Sequence, residues 1–134
     1  MIKLSNKMTE VNMTIQQMAF LGLVTKDINA STKYYQEVLG LAVNEQESIP
    51  DLYTQFDLNG GAIFSLVTEF ERDGIEQNFD SALIVEDVDA AYEKWQKAGV
   101  KMLGEPRDMP FGRTFLFETP DGHILRAMNK PQQM

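Results

Sequence analysis

A β-hairpin is predicted by one segment near the end of the chain, Phe111-Gly-Arg-Thr-Phe-Leu-Phe-Glu-Thr-Pro-Asp-Gly-His-Ile-Leu-Arg126. Thr114 to Phe117 is rich in aromatic residues, which favour a strand. Thr119-Pro-Asp-Gly122 has the composition of a tight turn, and Ile124 to Met128 is a second apolar run. The segment therefore predicts two strands joined by a turn at Gly122.

A weaker copy of this hairpin occurs earlier, as Phe56-Asp-Leu-Asn-Gly-Gly61-Ala-Ile-Phe-Ser65. Phe56 and Phe117 are 61 positions apart, and so are Gly61 and Gly122. Asp27 and Asp87, which each precede an amphipathic segment, are 60 positions apart. The recurrence of the same helix and the same turn indicates that the chain is built twice.

The first copy reads as a βαβββ module. Its helix is predicted to begin after an N-cap at Asp27 or Asn29 and to end at Gly40, with Ile28, Tyr35 and Val38 on one face. Its predicted strands are Met18–Thr25, Leu41–Gln46, Leu52–Leu58 and Ala62–Thr68.

The second copy repeats that order. Its helix is capped by Asp87 or Asp89 and ends at Gly99. Its predicted strands are Phe79–Val85, Val100–Leu103, Thr114–Phe117 and Ile124–Met128, with a loop at Pro106–Gly112. The predicted organisation is an N-terminal extension at 1–17, a first module at 18–68, a linker at 69–78 and a second module at 79–134. Because about 60 residues give only a marginal core, the two modules are expected to form one structural domain.

Composition excludes several classes of function. The 134 residues carry a net charge of −8 without a run of Lys or Arg, which argues against nucleic-acid binding. The absence of cysteine excludes disulfides and thiolate metal sites. No apolar run reaches the roughly 20 residues of a membrane span, and the start of the chain is too polar for a signal peptide. A cytoplasmic protein without a membrane partner is therefore expected.

Two such modules resemble the vicinal oxygen chelate superfamily, which includes glyoxalase I, the bleomycin-resistance proteins and the extradiol dioxygenases. The resemblance rests on Asp27-Ile-x-x-Ser-x-x-Tyr-Tyr-x-x-Val-Leu-Gly-Leu41, on Val85-Glu-Asp-Val-Asp-Ala-Ala-Tyr-Glu-Lys-Trp-Gln-Lys-Ala-Gly99 and on the closing hairpin. It covers the chain from residue 18 to the end. It implies an α+β fold in which mixed sheets curl into a cup with both helices outside, and it implies a homodimer.

The resemblance also implies four metal-ligand positions in the cup, and here they carry Phe20, Ser65, Asp80 and Arg126. Phenylalanine cannot ligate a metal, and arginine stays protonated and repels a cation. A catalytic metal needs about three protein ligands, which Asp80 alone does not provide. The sequence therefore predicts neither a metal site nor a cofactor.

Strand alternation assigns the remaining side chains to two faces. The residues predicted to form the core against the helices are Leu21, Leu23, Phe56, Leu58, Phe64, Leu66, Leu83, Val85, Phe115, Phe117 and Leu125, with Tyr35 and Trp95. The candidate ligand-binding residues on the cup face are Phe20, Tyr53, Gln55, Ser65, Asp80, Thr114, Arg126 and Met128, with Phe111 at the mouth.

Asp80 and Arg126 leave several functions open. They form either a structural salt bridge that replaces the metal or a pair in which Arg126 also binds a ligand anion. The favoured function is a metal-independent binder of a small, partly apolar or anionic molecule. The alternatives are a metal-dependent lyase, isomerase or dioxygenase, a metal-free enzyme with Asp80 as general base, and a scaffold with a filled cup. No catalytic residue is predicted beyond Asp80.

Overall fold

The computed structural model describes residues 15–68 and 76–130, which contain nine strands and two helices. In chain order the elements are β1 (Ile15–Thr25), α1 (Ile28–Glu37), β2 (Ala42–Val43), β3 (Tyr53–Asp57), β4 (Ile63–Thr68), β5 (Phe79–Val85), α2 (Val88–Lys97), β6 (Lys101–Met102), β7 (Arg107–Met109), β8 (Gly112–Glu118) and β9 (Ile124–Met128). The predicted α+β class is confirmed. Neither helix in these ranges has the length and apolarity needed to cross a membrane.

The chain divides into two compact units, with the divisions inside β1 and β5. The first unit is residues 19–81, and the second unit is residues 82–134 together with 1–18. Most of the predicted N-terminal extension, residues 1–14, lies outside the described residues, as does most of the predicted linker, residues 69–75.

The first unit pairs its strands in the order β2, β3, β4, β1, with β1 parallel to β4 and the other pairs antiparallel. Asp27 begins α1, because its Oδ1 accepts a hydrogen bond from the Ala30 amide at 3.1 Å. Tyr35 of α1 packs on Phe56 and Phe64, with ring centroids 5.5 Å away in each case. The core of this unit therefore lies between α1 and one face of β3 and β4.

The second unit repeats this plan with the order β5, β9, β8, β6. Strand β5 is parallel to β9, as β1 is to β4. Asp87 caps α2 through the Ala90 amide, again at 3.1 Å. Trp95 occupies the position of Tyr35 and packs edge-on against Phe115 and Phe117, at 5.7 and 5.2 Å. The predicted duplication of helix, caps and aromatic core is thus present in both units.

Some boundaries and core assignments were wrong. The loop predicted at Pro106–Gly112 contains the extra strand β7, which pairs with the start of β8. The strand predicted at Leu41–Gln46 keeps only two residues, because the chain turns at Asn44, whose carbonyl accepts the Ser48 amide at 3.1 Å. Leu58 is 48% exposed because β3 ends one residue earlier, and Val38 is 66% exposed because α1 ends at Glu37.

Candidate functional site

In the first unit, polar side chains lie on the sheet face away from α1. Phe56, Phe64 and Leu66 pack with α1, so alternation places Tyr53, Gln55 and Ser65 on the opposite face. Gln55 and Ser65 are direct partners across β3 and β4. The three polar groups are therefore neighbours.

The Tyr53 hydroxyl interacts with one of its two polar neighbours through a defined hydrogen bond. It donates to Gln55 Oε1 at 2.8 Å. Burial raises the pKa of Tyr53, the neighbouring Ser65 side chain lowers it, and the charge of Glu47 raises it again, so that the net shift is upward. Tyr53 is consequently held as a neutral hydroxyl that can donate.

The backbone of Gln55 is fixed as well. Its carbonyl accepts the Asn44 amide at 2.7 Å, and its amide donates to Ser48 Oγ at 2.9 Å. Ser48 Oγ donates in turn to the Asn44 carbonyl at 2.7 Å. The turn after β2 therefore fixes the backbone in the middle of β3 through hydrogen bonds from Asn44 and Ser48.

Ser65 and Asp80 lie on either side of Gly22. A Cβ added at Gly22 would be 3.2 Å from Ser65 Oγ and 4.0 Å from Asp80 Cβ. Gly22 is also the register partner of Ser65. Nearby, Ser81 Oγ donates to the Phe20 carbonyl at 2.8 Å. The structure thus brings three of the four predicted metal-ligand positions, Phe20, Ser65 and Asp80, into one part of the first unit.

In the second unit, the sheet face away from α2 is apolar around one arginine. Thr114 pairs with Met128 and Leu116 pairs with Arg126 across β8 and β9, while Ala82 is the partner of Arg126 on β5. All of these residues are buried, and Arg126 is only 8% exposed. A guanidinium that is buried in apolar surroundings needs nearby partners for its charge and for its five N–H donors.

Phe111 covers Arg126. The guanidinium carbon lies 5.5 Å from the centroid of the Phe111 ring, within the range of a cation–π contact. Phe111 is nevertheless 41% exposed, so a large aromatic surface remains open next to a buried cation. These are complementary features for a flat ring that carries negative charge.

The hairpin of β7 and β8 positions Phe111. Asn129 Oδ1 accepts the Arg113 amide at 2.9 Å, and the Asn129 amide donates back to the Arg113 carbonyl at 3.3 Å. The Arg113 side chain binds Asp89 at 3.0 Å and Asp108 at 3.1 Å, so that its pKa is raised by both carboxylates. Arg113 thus ties the hairpin to the start of α2.

Two further candidates in the second unit have defined places. The Thr114 hydroxyl is buried and donates its proton to the Ala127 carbonyl at 2.8 Å, so this proton is already used in a hydrogen bond within the protein. Met128 is 2% exposed, and its Cε lies 3.7 Å from where a Cβ of Gly112 would be. Met128 therefore packs next to Gly112, the residue that follows Phe111.

The donor set does not fit the metal that the resemblance implies. Phe20 offers no donor atom, and Arg126 offers a cation. Across residues 15–68 and 76–130, no three His, Asp or Glu side chains are grouped so that they could hold a metal ion. The only histidine, His123, is exposed in the turn before β9, and Glu118 pairs with Lys101 at 3.2 Å.

The candidate residues therefore form separate groups. The first unit joins Tyr53, Gln55 and Ser65, and the second unit joins Phe111 with Arg126. The expected pairing of Asp80 with Arg126 stays a prediction. Alternation predicts that Gly22 lies on the cup face, but sequence reasoning missed the close approach at Gly22 and the cross-strand clamp at Asn129, because both depend on register.

Comparisons with known proteins agree with this architecture. The sequence model of the Glyoxalase/Bleomycin resistance protein/Dioxygenase superfamily matches residues 15–126. A solved member of that superfamily from Vibrio splendidus 12B01 is 20% identical, with a TM-score of 0.64, over 87% of this chain and 100% of the other.

Two curated relatives are more similar in sequence. The phenazine antibiotic resistance protein EhpR of Enterobacter agglomerans is 31% identical over 109 residues, which are 75% of this chain and 82% of that protein. The uncharacterized protein YwbC of Bacillus subtilis is 30% identical over 126 residues, which are 81% and 94% of the two chains.

Proposed function

Because this chain belongs to the Glyoxalase/Bleomycin resistance protein/Dioxygenase superfamily, we propose that it binds a flat aromatic anion, without a metal ion. The observation that carries the proposal is the buried guanidinium of Arg126 under the half-exposed ring of Phe111. The relation to a phenazine antibiotic resistance protein supports a planar tricyclic ligand. Sequestration of such a compound is the function that these features support best.

The chemistry of the two side chains suits this ligand class. A guanidinium binds a carboxylate through two parallel N–H donors, and such charged hydrogen bonds are about twice as strong as neutral ones. A phenyl ring offers an offset or edge contact to a planar ligand. The apolar neighbours Leu116, Ala82 and Met128 exclude water around the ion pair, which strengthens its attraction. Binding requires no redox or proton-transfer step.

The test is a titration with phenazine-1-carboxylate and with unsubstituted phenazine. Arg126→Gln removes the charge, so the Kd for the carboxylate is expected to rise about 10- to 100-fold, while the Kd for the neutral ring changes little. Phe111→Ala is expected to weaken both ligands about 3- to 10-fold. Intrinsic fluorescence of Trp95 or calorimetry reports the binding.

The control is Lys33→Gln, which removes a positive charge from the exposed face of α1. It should leave both Kd values unchanged. Circular dichroism establishes that each variant is folded. The proposal is wrong if wild-type protein binds neither compound, or if folded Arg126→Gln binds the carboxylate as tightly as wild type does.

A further inference from the structure

The turn that carries Phe111 is short. Strand β7 ends at Met109 and β8 begins at Gly112, and these two residues are register partners. The turn therefore consists of Pro110 and Phe111. Phe111 is 41% exposed, so packing fixes its ring only in part. Because a two-residue turn follows the strands that it joins, the place of the ring over Arg126 depends on how the hairpin is held.

Strand β7 needs support from outside the hairpin. It has three residues, and among the described strands it pairs with β8 alone. Two of its three residues are exposed, so the burial of apolar surface stabilises this strand little. A two-stranded hairpin without further contacts is marginally stable in water. Contacts with other parts of the second unit therefore decide how firmly β7 is held.

The Arg113 side chain makes such contacts. Its Nε and Nη2 donate to the two carboxylate oxygens of Asp89 at 3.1 and 3.0 Å, and its Nη1 donates to Asp108 at 3.1 Å. Asp89 lies in the first turn of α2, and Asp108 is the register partner of Arg113 on β7. One guanidinium thus links the helix to the outer strand. Exposed charges contribute most when they form a bidentate pair within a network, as these do.

Arg113 and the candidate ligand site lie on opposite faces of the sheet. Phe115, two residues further along β8, packs on Trp95 of α2, so alternation places Arg113 on the helix side. Arg126 lies on the other face, under Phe111. All of these residues belong to the second compact unit. A ligand over Arg126 would therefore not touch Arg113, and Arg113 would act on it through the hairpin.

We propose that Arg113 is a positioning residue for the Phe111 ring, and that its ion pairs with Asp89 and Asp108 help to set the affinity for flat aromatic ligands. The inference rests on the proposed function. Binding groups must be held within about 0.5 Å of their productive geometry, so a loosened hairpin lowers affinity. The inference adds that an ion-pair network outside the ligand site strengthens the binding of a neutral ring, which offers Arg113 no charge to attract.

The experiment measures the Kd of unsubstituted phenazine and of phenazine-1-carboxylate by calorimetry. Arg113→Gln is expected to raise both Kd values about twofold to fivefold, because the ring is then less firmly placed. In a Phe111→Ala background the same substitution should change neither value, since the ring through which it acts is gone. Asp89→Asn, which removes the charge that pairs with Arg113, should also weaken both ligands.

The control is Lys101→Gln, which removes a different exposed ion pair of β8, the one with Glu118 at 3.2 Å. It should keep both wild-type Kd values, and circular dichroism establishes that each variant is folded. The role of Arg113 is overturned, and the proposed function stands, if folded Arg113→Gln binds both compounds like wild type or weakens the carboxylate alone. Further weakening in the Phe111→Ala background also overturns it. If wild type binds neither compound, the proposed function fails and the role of Arg113 fails with it.

Discussion

Polar residues on the sheet faces that lie away from the two helices are each held by a specific neighbour. Tyr53 donates to Gln55, Thr114 donates to a buried carbonyl, and Arg126 lies under an aromatic ring. Burying a polar group without such partners costs several kcal/mol. These residues therefore combine a defined orientation with an apolar environment, which suits recognition of a small molecule.

The ionisation of Tyr53 gives a prediction about stability at high pH. Its pKa is raised above the ordinary value of 10.0, chiefly by burial, so the folded state holds the phenolic proton more tightly than the unfolded state does. The stabilisation is complete below the ordinary value and is lost as pH rises through the folded pKa. Tyr53→Phe should therefore lose less stability than wild type between about pH 9 and pH 11.

Urea denaturation of both proteins at several pH values measures this difference. Tyr34→Phe, at an exposed tyrosine on α1, is the matched control and should follow wild type. Parallel loss of stability in Tyr53→Phe and wild type across that range would show that the hydroxyl is not perturbed in the folded protein.

The polar candidates could be selected from sequence, but their arrangement could not. Tyr53 and Gln55 are two positions apart on a predicted strand, so their shared face follows from alternation. That Ser65 lies opposite Gln55 depends on the register of β3 and β4, which no residue pattern specifies alone. The need for glycine at position 22 depends on β1 lying between Ser65 and Asp80.

At the scale of elements, the β7–β8 hairpin determines where Phe111 lies. Gly112 has φ +142°, and a Cβ there would be 2.9 Å from Asn129 Oδ1, the atom that accepts the Arg113 amide. The hairpin therefore requires glycine at position 112, because a side chain there would displace the Asn129 oxygen that accepts the Arg113 amide. Small movements of this hairpin would change the contact between Phe111 and Arg126.

Replacement of Gly112 with alanine should therefore destabilise the protein in two ways. The backbone conformation is strained for alanine, and the methyl group meets Asn129, so we expect a loss of about 2 to 3 kcal/mol in the free energy of unfolding. Gly104→Ala is the control, because Gly104 also has positive φ, at +115°, but has nothing within 4 Å. It should lose only about 1 kcal/mol.

Chemical denaturation measures both variants, and the difference between them reports the steric term. Equal losses of unfolding free energy in the two alanine variants would mean that contact with Asn129 adds no steric cost at position 112. The same Gly112→Ala protein should also bind aromatic ligands more weakly, since Phe111 would move with the hairpin.

Elements with strong local signals were predicted well. Strands β5 and β9 have the predicted bounds, and both helices begin after the aspartates that cap them. Strand β7 was missed because Arg107-Asp-Met109 lies between two prolines and has no apolar alternation. It forms by pairing with β8, and such tertiary pairing overrides weak local preference.

At the scale of the whole molecule, the same plan is used twice with different side chains. Tyr35 and Trp95 fill equivalent places, as do the caps Asp27 and Asp87. Two of the metal-ligand positions that the resemblance implies carry Phe20 and Arg126 in this chain. Such substitutions change the chemistry of the site while the fold persists. The fold therefore identifies the superfamily, and individual side chains decide what is bound.

Family resemblance also gives expectations beyond the single chain. A homodimer in the cytoplasm, with a small molecule as its ligand, stays a prediction. Sequence could supply the superfamily, because membership follows from residue types in a recognisable pattern. It could not name the ligand, which depends on a few donors and their direction.

The most direct measurement is calorimetric titration of the wild-type chain with phenazine-1-carboxylate, before and after exhaustive dialysis against EDTA. Metal-independent binding through Arg126 and Phe111 predicts saturable binding with the same Kd in both preparations. Added Mn²⁺ or Zn²⁺ should not tighten it. Absence of saturable binding, or binding that EDTA abolishes and a divalent metal restores, would contradict the account.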